Sequence, residues 1–262
     1  TLYGTTYNLK IRQSKREEKA RSESYDAGIQ KLKNALAGRI ISMLTEGKAP
    51  GLLAKLKAKH IIGPKENVID KKVGGYEHDI SYAPVVAALV DLVQLPNCKG
   101  VFGSIPCGTW SVLRYIRPGP PVLRRLASAG NRWVDEALGI MRADGTLPDS
   151  VISANMMVEG MVAVADAAME LEKLFAYESP VSRAHDSQFA VRGREDHAEM
   201  SSHPALASLI ERRGLVRTYF DQCMIGSDFE KKTQIIADKR TAVRVRAEFG
   251  TRVCDGSHEH RS

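Results

Sequence analysis

Cys107 is the residue whose type and position most favour chemistry. It lies in GSIPCGTWS (residues 103–111), directly after the apolar stretch 100–104 and a proline. A thiol on an exposed turn at the carboxyl edge of a sheet can attack an electrophilic carbon, and it is a better nucleophile than a serine hydroxyl at neutral pH. The alternative is a buried, inert cysteine, which is the usual state of a single thiol.

Glu178, in FAYESPVSR (residues 175–183), is the second candidate. Pro180 is expected to force a turn, so that the carboxyl group is presented at the end of a strand. A carboxylic acid in a partly desolvated pocket can keep a proton and donate a hydrogen bond to a ring nitrogen that gains negative charge. An ordinary glutamate at the end of a strand is the alternative.

Strand and helix patterns alternate along the chain and would bring both residues to one edge of a sheet. Apolar runs predict strands at 39–45, at 60–63 or 67–70, and at 100–104, 173–177 and 215–220, and helical patterns cover 50–59, 83–95 and 150–173. Such alternation favours an α/β fold with right-handed crossovers and a mainly parallel sheet. Ligands bind beyond the carboxyl ends of strands in sheets of this kind.

Residues 1–38 are predicted to form a basic helical extension before a domain at 39–262, which carries a basic insertion at 184–214. The stretch 14–37 is rich in helix formers and has a thin apolar stripe. This N-terminal helix is a candidate surface for a protein partner.

Basic residues outnumber acidic ones, with 38 Lys and Arg against 31 Asp and Glu, so the net charge is +7. Basic clusters gain free energy by displacing the counterions around nucleic-acid phosphates, so nucleic acid is the expected partner. The candidate contacts are Arg114, Arg117, Arg124 and Arg125 in 112–126, and Arg192, Arg194, His197 and His203 in 184–214. A solvated basic surface with no partner explains the charge equally well.

The four cysteines, Cys98, Cys107, Cys223 and Cys254, are too few and too irregularly spaced for a disulfide scaffold. Cys254 is followed by His258 and His260, but a structural zinc site needs about four ligands and no second pair is evident, so no metal is expected. We find no signal peptide and no apolar run close to the length of a membrane span. These features predict a soluble intracellular protein without membrane contact.

The order of these pieces resembles the cytosine carbon-5 methyltransferases, especially the compact phage and viral type. The matching pieces are Pro-Cys-x-x-x-Ser from Pro106 to Ser111, then Glu-Ser-Pro at 178–180, Gln-Cys-Met-x-Gly at 222–226, Lys-Thr at 232–233, and Cys254 with His258. The resemblance covers about residues 39–262. It implies a Rossmann-like class I methyltransferase fold, with helices on both faces of the sheet.

The resemblance also implies a reaction, the transfer of a methyl group from S-adenosylmethionine to carbon 5 of cytosine, in DNA in preference to RNA. Cys107 would attack carbon 6 of the ring, and Glu178 would act at ring nitrogen 3. A cytosine in a duplex must first be flipped out of the stack. The expected substrate contacts are Ser111, Arg183, Gln222 and Lys232.

The cofactor motif of the family is altered in this chain. The family has an aromatic-Ser/Ala-Gly-x-Gly turn, which lets the backbone approach the ligand closely, whereas this chain has MLTEGKAPG at 43–51. Asp70 and Asp79 match the family's acidic residues for the ribose hydroxyls and the adenine amino group. The expected cofactor contacts are Glu46, Gly47, Asp70, Asp79 and Pro106.

A relative that has lost catalysis is the alternative function. The altered glycine turn and the basic N-terminal helix favour it, and so does the absence of the family's Gln-x-Arg-x-Arg element, for which Gln222 and Lys232 are only loose counterparts. Such a protein would be a nucleic-acid-binding or structural subunit of a larger assembly, because a fold alone does not determine function.

Overall fold

A computed structural model describes residues 40–44, 66–69, 79–96, 98–115, 120–126, 136–184, 187–192, 194–225, 227, 231–250 and 252–259. Its strands are β1 (Ile40–Leu44), β2 (Glu66–Ile69), β3 (Gly100–Ser104), β4 (Leu174–Pro180), β5 (Val216–Asp221) and β6 (Lys232–Ala237). Within the described residues they form one sheet in the order β2-β1-β3-β4-β6-β5. With the helices below, the fold is α/β, as the sequence predicts.

The helices lie on both faces of the sheet. They are α1 (Ala83–Gln94), α2 (Asp149–Glu170), α3 (Pro204–Arg213) and α4 (Lys239–Phe249). One apolar cluster joins α1, α2 and α3 to Tyr177 of β4, and a second joins α4 to Ala176 of the same strand. Successive strand residues point to opposite faces, so these neighbours mark the two sides of the sheet.

The sheet is mixed, which corrects part of the sequence prediction. The pairs β1–β2, β1–β3 and β3–β4 are parallel, as expected, but β6 runs antiparallel to both β4 and β5. Only residues 222–231 connect β5 to β6. A parallel crossover needs about a dozen residues or more, so a connection of this length returns the chain in the opposite direction.

The predicted strands agree with β1, β3 and β5 to within two residues, and 67–70 is the correct alternative for β2. The prediction for β4 was wrong at its end, because the strand continues through Glu178 to Pro180, which pairs with Thr233. Proline is tolerated there because it lies at the last position of the strand. The helix predicted at 50–59 and the extension 1–38 lie outside the described residues.

Helix α2 has 22 residues and, over its most apolar 18, a mean hydropathy of 1.4, so by length and composition alone it is comparable to a membrane span. In this structure its apolar side chains face the protein. Val151, Val158 and Met161 are fully buried, and the helix contacts α1, α3, β3 and β4. Its packing is that of a core helix.

Candidate active site

Strand β3 leads the chain to Cys107 at the carboxyl edge of the sheet. Two residues separate the end of β3 from Cys107, which has φ −91° and ψ 7° and precedes the 3-10 turn Gly108–Trp110. The Cys107 carbonyl accepts a hydrogen bond from the Trp110 N–H at 2.9 Å. The residue is half-buried and packs against the larger apolar cluster. Cys107 therefore lies on a turn at the expected edge.

Glu178 is 5% exposed, and polar side chains from three segments surround its carboxyl group. Ser104 Oγ donates to Oε2 at 2.8 Å, and Lys231 Nζ donates to Oε1 at 3.0 Å. Gln222 Nε2 lies 3.5 Å from Oε1. A buried carboxylate is costly unless it is paired and hydrogen-bonded, and the Lys231 ammonium and the Ser104 hydroxyl meet that need.

The Cys107 turn and Glu178 are close because β3 and β4 are neighbouring parallel strands. Gly103 pairs with Tyr177 across them, and Ser104, three residues before Cys107, bonds to Glu178. Burial, followed by the charges of Glu178 and Cys107, raises the pKa of Tyr177 well above its usual range. Both predicted groups therefore lie within electrostatic reach of the Tyr177 hydroxyl.

His197 connects the turn after Cys107 to the segment after β4. It is fully buried, its Nδ1 accepts the Arg183 N–H at 3.1 Å, and its Nε2 lies 3.0 Å from the Trp110 carbonyl oxygen. A ring nitrogen that accepts a hydrogen bond carries no proton, so the ring is neutral and Nε2–H donates to Trp110. Burial lowers the pKa of His197, which keeps the ring neutral.

Arg124 supports the same turn from the interior. Its guanidinium donates to Thr109 Oγ1 at 3.2 Å, to the Ala137 carbonyl at 2.7 Å and to Asn155 Oδ1 of α2 at 2.7 Å. It also lies 3.8 Å from the centre of the Trp110 ring, within the range of a cation–π contact. Arg124 therefore joins the Cys107 turn to α2.

The basic residues expected to contact nucleic acid divide into two groups. Arg124, His197 and His203 are at most 1% exposed, so that expectation was wrong for them. Arg125 is exposed and its Nε lies 3.3 Å from Asp196 Oδ2. The exposed or half-exposed members are Arg114, Arg125, Arg192 and Arg194, and Arg117 lies outside the described residues.

Most of the expected cofactor contacts cannot be placed. Glu46, Gly47 and Asp70 lie outside the described residues, and Pro106 is half-buried directly before Cys107. Asp79 is buried just before α1, where its Oδ1 accepts the N–H and the hydroxyl of Ser81 at 3.1 and 2.6 Å. These bonds form a side-chain turn that helps to start α1, and the contact of Asp79 with adenine stays a prediction.

Of the expected substrate contacts, Gln222 lies beside Glu178, whereas Lys232 forms an ion pair with Asp221 at 2.8 Å. The Ser111 carbonyl accepts the Arg114 N–H at 3.1 Å. The guanidinium of Arg183 donates to the Phe189 carbonyl at 3.4 Å.

Sequence reasoning missed Lys231, the residue that contacts Glu178. Adjacent residues of an extended segment point in opposite directions, so only one of Lys231 and Lys232 can reach Glu178. The Lys-Lys pair was a signal for this contact. Because β6 was not predicted, the sequence did not show which of the two lysine side chains points toward Glu178.

A polar cavity of about 570 Å³ lies on the face of the sheet opposite to the Glu178 side chain. It is lined in part by Glu199, Arg217, Tyr219 and Gln234. In the β4–β6 register Ser179 pairs with Gln234, one position away from Glu178. Neither Cys107 nor Glu178 lines this cavity. The cavity therefore does not include the carboxyl group of Glu178.

Comparison with known proteins gives no match, since no family model, curated protein or solved structure matches the chain. The fold and the site define an α/β protein with a thiol and a buried carboxyl group at the ends of adjacent parallel strands. The function is therefore inferred from these residues and their geometry.

Proposed function

We propose that the protein is an S-adenosylmethionine-dependent methyltransferase acting on carbon 5 of cytosine in DNA, through a covalent adduct with Cys107. The observation that carries the proposal is the contact between the two strand ends, where Ser104 of the Cys107 strand bonds to Glu178 at 2.8 Å. Addition to a pyrimidine needs a thiol nucleophile and a group that acts at the ring nitrogen. Cys107 and Glu178 are the residues of these two types in the site.

The strand order supports a Rossmann-like class I methyltransferase fold with its cofactor site beside Cys107. The chain moves outward from β1 to β2 and then continues on the other side of β1, at β3, so the order reverses between β1 and β3. Ligands of open α/β sheets bind in the crevice outside such a switch point. Leu44 at the end of β1 pairs with Ser104 at the end of β3, so the end of β1 borders one side of the crevice and the segment with Cys107 borders the other.

The cofactor would bind in this crevice. Asp79 and Pro106 would hold it together with Glu46, Gly47 and Asp70, and bound S-adenosylmethionine supplies the methyl group as an electrophile. Cys107 attacks carbon 6 of the cytosine, and the displaced electron pair makes carbon 5 nucleophilic. Once carbon 5 carries the methyl group, its proton is lost to solvent, and the electron pair left behind expels Cys107 Sγ from carbon 6 as a thiolate, which returns the cysteine to its starting state.

Glu178 stabilises the negative charge that develops at ring nitrogen 3 by donating a proton there, which it receives from the Lys231 ammonium. Their side chains meet at 3.0 Å, so the carboxyl group is oriented by a cation that also carries protons. Ser104 holds the other carboxyl oxygen. Groups positioned before the reaction stabilise developing charge without reorganising, which is the main electrostatic advantage of an enzyme site.

Covalent trapping on an oligonucleotide that contains 5-fluorocytosine tests the proposal. Fluorine cannot leave carbon 5 as a proton does, so the adduct persists in denaturing electrophoresis. We expect an adduct with wild-type protein on DNA in the presence of S-adenosylmethionine, and none with Cys107→Ala. Cys98→Ala is the matched control, because Cys98 is buried at the opposite end of β3.

Two results would contradict the proposal. The absence of an adduct on both DNA and RNA would show that Cys107 is not the nucleophile. An adduct on RNA alone would show that the substrate is RNA and not DNA. Calorimetry with S-adenosylmethionine distinguishes the proposed enzyme from the alternative function. A protein that binds nucleic acid but not the cofactor would be a catalytically inactive subunit.

A further inference from the structure

Cys223, Cys254 and His258 come together beyond the end of β5. Among the described residues they form a group whose two sulfur atoms and one imidazole nitrogen all lie within 4.8 Å of one another. Cys254 Sγ and His258 Nε2 are 3.9 Å apart. The sequence alone suggested only Cys254 and the histidines after it, and Cys223 is the further ligand.

The spacing of these three atoms suits a tetrahedral metal ion. With zinc–sulfur bonds of about 2.3 Å and zinc–nitrogen bonds of about 2.0–2.1 Å, neighbouring ligand atoms of a tetrahedral site lie about 3.6–3.8 Å apart. The distance of 3.9 Å between Cys254 Sγ and His258 Nε2 is slightly above this range, and the three ligand atoms all lie within 4.8 Å of one another. Small side-chain movements therefore suffice to close the site.

Asp221 fixes the backbone around the cluster. Its N–H donates to the Arg252 carbonyl at 2.9 Å, and its Oδ2 accepts the Cys254 N–H at 2.7 Å. Lys232 Nζ bonds both oxygens of the same carboxylate and compensates its charge. These bonds hold the segment with Cys254 against the turn Gln222–Ile225, which carries Cys223.

The segment after Cys254 turns back toward it. Gly256 has φ +76°, a conformation that glycine adopts without strain, and its N–H donates to Cys254 Sγ at 3.4 Å. A backbone N–H that points at a cysteine sulfur stabilises negative charge on it. The turn thus orients the Cys254 sulfur and brings His258 to the same place.

We propose that Cys223, Cys254 and His258 bind one Zn²⁺ ion. Two thiolates and an imidazole favour zinc over Mg²⁺ or Ca²⁺, which prefer oxygen ligands. Each cysteine loses its thiol proton to solvent as the ion binds, and a water molecule takes the fourth position. Cys254 is half-exposed and His258 is exposed, so the ion has an entry path.

The bound ion would connect the segment 252–259 to the turn that begins with Gln222. Gln222 reaches Glu178, so zinc would hold one wall of the site at Glu178 in place. Its role there is positioning, because the ion touches neither Cys107 nor Glu178.

Metal analysis of the full chain, purified without chelators and incubated with Zn²⁺, tests the proposal. We expect about one tightly held zinc per chain, and at least a roughly 100-fold loss of affinity in Cys223→Ser and His258→Ala, since the loss of an outer-shell partner alone costs 10- to 100-fold. Cys98→Ala removes a buried cysteine elsewhere and should keep the ion. Circular dichroism of each variant checks that it is folded.

Cobalt substitution gives a measurement that does not depend on variants. Co²⁺ added to the wild-type protein should produce the intense visible bands of a tetrahedral site and a thiolate-to-cobalt charge-transfer band, both removed by Zn²⁺. Folded wild-type protein that holds no zinc and shows no such bands would overturn the proposal. So would a Cys223–Cys254 disulfide that persists under reducing conditions, or zinc retained undiminished in both ligand variants.

Discussion

The two cysteine-containing sites at this end of the sheet are built in opposite ways. The turn after Cys107 is braced from the interior by Arg124 and His197, both of which are at most 1% exposed. The group around Cys254 lies at the surface and is positioned by main-chain bonds to Asp221. Interior bracing holds a reactive group in place without a ligand, whereas a surface cluster needs an ion to close it. The first arrangement suits catalysis and the second suits metal binding.

Replacing Cys107 should have the largest effect. In Cys107→Ala we expect methyl transfer to fall by roughly 10⁴-fold or more, because removing a nucleophile eliminates the covalent path. Transfer of a tritiated methyl group to DNA measures the rate. Cys98→Ala should retain activity, and comparable losses in both variants would show that the effect is structural.

Replacing Arg124 should destabilise the protein by about 2–6 kcal/mol, because each of two buried acceptors left without its donor costs about 1–3 kcal/mol. Arg124→Met leaves the Ala137 carbonyl and Asn155 Oδ1 without their buried donor. Arg125→Met is the matched control, because the exposed Arg125 pairs only across the surface and such pairs contribute about 0–1 kcal/mol. Urea unfolding followed by circular dichroism should separate the two variants, and equal midpoints would argue against the interior brace.

Acid should destabilise the protein through two buried histidines, His197 of the interior brace and His203 at the start of α3. Burial, followed by the charge of Arg124, lowers the pKa of His203 to about 4, and burial also lowers that of His197. The unfolded chain takes up these protons near pH 6.5 and the folded chain does not. Stability is therefore full above pH 6.5 and falls as the pH drops from 6.5 toward 4, by roughly 1.4 kcal/mol per pH unit for His203, and His197 contributes in the same direction.

Urea unfolding at pH values between 6.5 and 5 measures this slope before most carboxylates titrate. His203→Gln should remove one histidine's share of the pH dependence. A variant with the wild-type slope would show that His203 is not the group responsible.

Zinc should stabilise the surface cluster by a smaller amount that depends on its concentration. At a free concentration 100 times the dissociation constant we expect about 2.7 kcal/mol, because only the folded state brings the three ligands together. Thermal unfolding with and without a chelator measures the effect, and His258→Ala, with its roughly 100-fold weaker affinity, should keep at most about 0.4 kcal/mol of it. Stabilisation by zinc that persists undiminished in His258→Ala would place the ion elsewhere.

Much of the fold follows from local pattern. The apolar run 100–104 and the helical periodicity of 83–95 were predicted nearly to their observed bounds, because both segments are buried and strongly patterned. Strand β6 and helices α3 and α4 were missed. Helix α4 is largely polar, and only Thr241, Ala242, Val245 and Phe249 are buried, so its apolar face is narrow.

The two sites likewise differ in how far local sequence predicts them. Cys107 directly follows a proline and lies three residues after a buried strand. Local sequence was therefore enough to predict a cysteine on a turn at the carboxyl edge of the sheet. The contacts of Glu178 with Lys231, and of Cys254 with Cys223, join residues more than thirty positions apart. They depend on strand pairing, and a shift of one residue in register reverses the face of every side chain. The tertiary structure therefore decided three things. Lys231 and not Lys232 contacts Glu178, Arg124 is buried, and Cys223 lies beside Cys254 and His258 although no local motif contains all three.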